Sequence, residues 1–163
     1  MKKIVIIGAN DFQNQLILKA KEMGFETHVF AWKDGSVGER TADYFYPISI
    51  VETEQILEKC REIKPDAVAS IASDLANITV SKVASGLGLP CNSQECIRLS
   101  TNKYAMREAF TQARIATPRF YRVDRIEPYL FGMKLPIIVK PTDRSGSRAI
   151  TKITDFENLE QAI

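Results

Sequence analysis

Hydrophobic positions in the first 95 residues fall into short solid blocks separated by amphipathic stretches. Residues 3–8, KIVIIG, form an apolar run ended by glycine, the pattern of a strand buried on both faces. Residues 12–23 place Leu16, Ile17, Ala20 and Met23 at helical spacing, with Gly24 as the stop. A second strand is predicted over THVFAW. A polar, glycine-containing loop, KDGSVGERTAD, follows, and then a short proline-interrupted edge strand in YFYPISI. The next helix covers TEQILEKCREIK, with Ile56, Leu57, Cys60 and Ile63 on one face and Pro65-Asp66 as its end. The strand AVASIA, a helix capped by Ser73-Asp74, and GLGLP complete the series. Strands alternating with helices of this length predict parallel pairing through right-handed crossovers, hence a small doubly wound α/β sheet.

The pattern changes near residue 100. Two closely spaced helices, SQECIRLS and NKYAMREAFTQA, are separated by Thr101 or Asn102 as a cap. A proline-led strand, TPRFYRV, and a short helix around IEPYLFG, stopped by Gly132, come next. A strand, PIIVKP, leads into the loop DRSGS and a returning strand, AITKI. The tail DFENLEQAI starts like a capped amphipathic helix with Phe156, Leu159 and Ile163 on one face, so the polypeptide is expected to continue past Ile163. The expected domains are residues 1–97, a Rossmann-like sheet, and residues 98–163, a partial α+β subdomain.

Composition narrows the class. Hydrophobic residues make up 45% and charged residues 26%, the profile of a soluble globular chain. No apolar run has a bilayer-spanning length and no secretory signal precedes KIVIIG, so a cytoplasmic, non-membrane protein is expected. Cys60, Cys91 and Cys96 form no C-x-x-C pair, and His28 has no partner at metal-ligand spacing; neither a zinc site nor a disulfide framework is expected. His28 reads as a half-buried strand residue, and Trp32 and Tyr44-Phe45-Tyr46 as packing or interface residues. Residues 1–95 hold 10 Lys/Arg against 13 Asp/Glu, and residues 96–163 hold 12 against 7. The basic second part suits a polyanionic ligand, without the interleaved aromatic residues that mark nucleic-acid binding.

The segment with most chemistry is 136–153, PIIVKPTDRSGSRAITKI. A buried strand delivers Lys140 at its end, and Ser145-Gly146-Ser147 form a loop free of bulky side chains. Backbone N–H groups and one fixed cation are what phosphate recognition requires. On residue types alone, an ordinary surface hairpin accounts for the pattern better than a phosphate site does. The front loop, Gly8-Ala9-Asn10-Asp11-Phe12-Gln13, keeps only the first glycine of G-x-G-x-x-G, and no acidic residue ends the second strand, so NAD binding is not expected.

The chain resembles the ATP-grasp superfamily. The resemblance rests on Pro136-Ile137-Ile138-Val139-Lys140-Pro141 followed by Asp143-Arg144-Ser145-Gly146-Ser147-Arg148. It rests equally on Asn102-Lys103-Tyr104-Ala105-Met106-Arg107, 37 residues upstream, and on the intervening Ala116-Thr117-Pro118. Ser70-Ile71-Ala72-Ser73-Asp74 and Gly86-Leu87-Gly88-Leu89-Pro90 look like the pre-ATP-grasp domain of carbamoyl-phosphate-synthase-like ligases. The resemblance implies ATP as cosubstrate, contacted by Lys103 and Lys140, with Ser145, Gly146 and Ser147 as a lid over its phosphates. It further implies a small carboxylate substrate, with Asn10, Asp11 and Asp74 shaping the acceptor pocket. Helix capping by Asp11, Ser73 and Asp74 is a reading that can coexist with that role. Two departures stand out: Asn102 precedes the first lysine where the family usually has Asp, and Ala149 stands where it often has glycine. Alanine there is strained if the position needs a positive φ. The adenine-hinge segment, the acidic Mg²⁺ ligands and the arginine facing the acyl phosphate have no counterpart in 1–163, so no catalytic or metal-binding residue is assigned and this chain alone is expected to be inactive. A stand-alone nucleotide- or small-molecule-binding module, or a homodimerisation unit, is the alternative.

Overall fold

A computed structural model describes residues 1–144, 146 and 149–163. They divide into two compact units, Met1–Ile97 and Arg98–Ile163, the division falling inside helix α5 (Gln94–Thr101).

The first unit is built on four parallel strands: β1 (Lys3–Ile7), β2 (Glu26–Phe30), β3 (Tyr44–Tyr46) and β4 (Ala67–Ala69). They lie in the order β3-β2-β1-β4. The register pairs Val5 with both His28 and Val68. Helices α1 (Asp11–Glu22) and α3 (Thr53–Ile63) connect β1 to β2 and β3 to β4, and α4 (Asp74–Gly86) follows β4. Because side chains alternate along a strand, β1 feeds both faces. Val5 and Ile7 join Phe30, Ile56, Cys60, Ile63 and Val83 on one side. Ile6 joins Ile17, Ala20 and Val29 on the other. Each fully buried aliphatic side chain contributes about 1.5–3 kcal/mol, which is why Val5, Ile6 and Ile7, all fully buried, leave no polar position in β1 beyond Lys3 at its start.

Several local expectations need correction. The polar loop 33–43 contains a helix, α2 (Val37–Thr41). It forms where Gly38 lets the chain close on the turn after β1: its N–H donates to the Ala9 carbonyl at 2.9 Å, and a Cβ would lie 2.7 Å from that oxygen. Met23 is outside the apolar face of α1, at 64% exposure, since α1 ends at Glu22 and Gly24 turns the chain at φ +80°. His28 is buried rather than half-buried. Its Nε2 lies 2.8 Å from Glu26 Oε1, its Nδ1 lies 3.0 Å from the Tyr46 hydroxyl, and its ring stacks on Tyr44. Both ring nitrogens are thereby partnered, which makes burial tolerable. Trp32 is 67% exposed, so of the packing and interface roles expected for it, packing within its own unit is at most minor.

The second unit contains the end of α5, helix α6 (Lys103–Gln112), and an antiparallel pair, β5 (Ile137–Val139) and β6 (Thr151–Ile153). Leu130, Ile153 and Leu159 form its core, with Ile137 and Val139 against it. No strand forms over 117–123 among the described residues, because a strand needs a hydrogen-bonded neighbour and the only ladder in this unit is β5–β6. The predicted helix at 126–132 is a 3₁₀ turn, Pro128–Gly132, and the tail makes two further 3₁₀ turns, Phe156–Asn158 and Glu160–Ala162. With so few residues in each, the tighter i→i+3 bonding prevails. Asp155 still caps the first of these, accepting from the Glu157 N–H, and Leu159 is buried as expected, whereas Ile163 is 41% exposed.

Candidate functional site

In the first unit the chain leaves β1 toward β2 and β3 on one side, while β4 lies on the other. The carboxyl ends of β1 and β4 therefore flank the topological switch point, where open α/β sheets form a crevice. Two turns line it. After β1, Gly8 adopts φ +100° and Asn10 caps α1, its Oδ1 accepting from the N–H groups of Phe12 at 3.0 Å and Gln13 at 3.4 Å. After β4, Ala72 adopts φ +56° and Ser73 Oγ accepts from the Ala76 N–H at 3.2 Å to cap α4. Asp11 and Asp74, each the first residue of its helix, stand exposed on these two turns. Their charges complement the helix N-termini. Capping of α1 thus falls to Asn10 and not to Asp11, and capping of α4 falls to Ser73.

The electrostatics of this crevice are one-sided. Residues 8–18 and 65–81 contain no lysine or arginine, and the Asn10 carboxamide already takes two N–H groups that a phosphate at the α1 N-terminus would use. Asn10, Asp11 and Asp74 thus lie just beyond the carboxyl ends of two neighbouring strands, β1 and β4, with no lysine or arginine in either turn.

Two contacts stitch the turns together. Ser70 Oγ donates to the Ile7 carbonyl at 2.6 Å, and Gln13 Nε2 donates to the Ile71 carbonyl. Gln13 was not singled out by its residue type. Its position was the available signal, because it occupies the third-glycine place of the degenerate front fingerprint.

In the second unit, Asn102 caps α6 by accepting from the Ala105 N–H at 2.9 Å, so the departure from Asp keeps the cap. Lys103 is then the first helical residue. Its backbone N–H donates to the Thr142 carbonyl at 2.8 Å, and its Nζ donates to the Arg144 carbonyl. Lys140 immediately follows β5 and is exposed. Since Thr142 lies two residues on, the Cα atoms of Lys103 and Lys140 are within about 13 Å, a span two lysine side chains can close. Arg107 Nη1 donates to Thr117 Oγ1 at 2.9 Å and holds the Ala116-Thr117-Pro118 entry against α6. Gly146 adopts φ +71°, and Ala149, where glycine is more common in the resemblance, sits at φ +54°. A left-handed alanine costs about 1–2 kcal/mol relative to an ordinary backbone well. Ser145 and Ser147 lie outside the described residues.

A divalent cation needs several oxygen ligands, usually carboxylates. Among the described residues no three of His, Cys, Asp and Glu group closely enough to hold one by themselves. Nor is any helix among them long and apolar enough to cross a membrane.

No family model matches the chain. It is 22% identical over 163 residues to a formate-dependent phosphoribosylglycinamide formyltransferase of Prochlorococcus marinus, covering 97% of this chain and 42% of that protein. The crystal structure of an L-amino acid ligase from Bacillus licheniformis superposes with a TM-score of 0.83 at 20% identity, over 99% of this chain and 41% of the other. The biotin carboxylase domain dimer of 2-oxoglutarate carboxylase from Hydrogenobacter thermophilus, in complex with MgADP, ADP and bicarbonate, gives 0.75 at 19% identity, over 99% and 40%. The chain thus spans about two-fifths of the length of the proteins it matches. In sequence and in fold this chain is a relative of the ATP-grasp carboxylate ligases, corresponding to their N-terminal part.

Proposed function

We propose that the chain belongs to an ATP-dependent ligase that activates a carboxylate, or bicarbonate, as an acyl phosphate for attack by an amine or other nucleophile. The observation that carries this reading is the bond from the Lys103 N–H to the Thr142 carbonyl, which sets the start of α6 beside the segment leaving β5. On this reading two lysines separated by 37 residues serve one polyanion, and Ser145, Gly146 and Ser147 are the residues expected to cover its phosphates. In the first step a carboxylate oxygen attacks the γ-phosphorus, the bond to the bridging oxygen breaks, and ADP departs. In the second, the nucleophile attacks the acyl carbon and inorganic phosphate leaves with the electron pair of the C–O bond. Lys103 and Lys140 neutralise non-bridging oxygens during the transfer, and Asn10, Asp11 and Asp74 orient the acceptor. Mg²⁺, expected with ATP, would be held by residues other than those described, and the 163-residue chain by itself should bind nucleotide weakly without turning it over. A cytoplasmic setting belongs to the same reading.

The test is a phosphate-release assay on the product of the complete reading frame, with ATP, Mg²⁺ and a panel of carboxylic acids including formate, bicarbonate and amino acids. Stimulation by one acid is the expected result. Failure of every acid to stimulate release, or tight Mg²⁺-dependent ATP binding by the 163-residue chain alone, would overturn the reading.

A further inference from the structure

The front turn contains a buried polar side chain that neither capping nor the nucleotide site uses. Gln13 is 1% exposed, and its carboxamide donates to the carbonyl of Ile71 on the turn after β4. It also fills the space beside Gly8, where an added Cβ would meet Gln13 Cδ at 3.0 Å and Oε1 at 3.2 Å. Gly8 and Gln13 therefore form a matched pair: the missing side chain at 8 makes room for the long one at 13. In a dinucleotide fingerprint the position of Gln13 is a glycine that lets helix and strand approach. Here the same position carries a strut that reaches across to the neighbouring strand end.

We infer that Gln13 is a positioning residue, setting the spacing between the turn that carries Asn10 and Asp11 and the turn that carries Asp74. The inference rests on the proposed acceptor role of that crevice and deepens it. Ile71 precedes Ala72, whose φ of +56° is a conformation alanine adopts reluctantly, and Ala72 leads directly to Ser73 and Asp74. A donor fixed on α1 holds the Ile71 carbonyl and so keeps the Asp74 turn in that conformation. Ser70 Oγ makes a second tie, to the Ile7 carbonyl, but it restrains the end of β4 and leaves the turn beyond Ile71 to Gln13. A displacement of about 1 Å at a substrate-orienting group can cost up to roughly a hundredfold in rate, and the same displacement lengthens the hydrogen bonds that hold the ligand, so one such strut acts on the site without touching the ligand.

The experiment compares the native chain with Gln13→Met, which keeps length and packing but has no donor, and with Gln13→Glu, which donates only when protonated. Amide exchange and NMR shifts are followed at residues 10–12 and 71–75 while formate, bicarbonate and L-alanine are titrated separately. The expected result for Gln13→Met is an unchanged fold, exchange at Ala72–Asp74 faster by about tenfold, and affinity for the responsive probe lower by about tenfold. Gln13→Glu should regain native shifts at 71–75 as pH is lowered, a rescue that general loss of packing would not produce. Unchanged exchange at Ala72–Asp74 in Gln13→Met overturns the strut. Faster exchange with unchanged affinity overturns the positioning role while leaving the crevice as a site. Silence of these amides to all three probes in the native chain removes the crevice as a site, and the inference with it.

Discussion

The backbone N–H of Lys103 donates to the carbonyl of Thr142 at 2.8 Å, joining residues 39 positions apart in the sequence. A helix N-terminus has orphan N–H groups that need partners, and α6 finds one in the segment that leaves β5. That bond turns two sequence motifs into one local arrangement.

If Lys103 and Lys140 share one triphosphate, Lys103→Ala and Lys140→Ala should each weaken ATP binding by about tenfold and reduce its salt dependence. Lys134→Ala, an exposed lysine of the same unit, should leave binding unchanged. Calorimetric titration of the three variants checks this, and equal behaviour of all three would dissociate the lysines from the nucleotide.

Asp43 ties α1 to β2. Burial raises its carboxyl, but the Lys21 ammonium at 2.7 Å and the N–H and hydroxyl of Thr27 outweigh it and hold the group at about 2, below the ordinary 3.8. A depressed carboxylate stabilises the folded state above the unfolded value, so this contribution is complete above pH 3.8 and is lost as pH falls through about 2. Asp43→Asn should lower stability at neutral pH by about 1 kcal/mol. Urea unfolding as a function of pH should show the gap to the native chain closing within that window.

The three thiols should separate by reactivity. Cys60 is fully buried, which pushes its thiol up to about 12, whereas Cys91 and Cys96 are exposed. Labelling with a thiol-exchange reagent under native conditions should modify Cys91 and Cys96, and Cys60 only after unfolding.

Gly38 is required by proximity. Gly38→Ala places a methyl group 2.7 Å from the Ala9 carbonyl oxygen and 2.9 Å from its Cα, and should cost about 1–3 kcal/mol. Gly132→Ala, where a Cβ meets nothing within 4 Å, is the control. Thermal unfolding of the two variants measures the difference.

Run length and periodicity together determined the strand–helix alternation of the first unit: KIVII and ETHVF are short runs buried on both faces and bounded by turn residues, whereas Ile56, Cys60 and Ile63 recur at helical spacing on one face. Capping residues were legible for the same local reason: Asn102 and Ser73 act on N–H groups within three residues. What the tertiary structure decided depends on partners far away in sequence. The loop 33–43 became helical where Gly38 met Ala9, 117–123 formed no strand for want of a neighbour, and His28 was buried because Glu26 and Tyr46 satisfied its ring. Gln13 belongs to this second group. A glutamine on an amphipathic helix reads as solvated, and only the approach of the Ile71 carbonyl, 58 positions along the chain, makes it a buried tie.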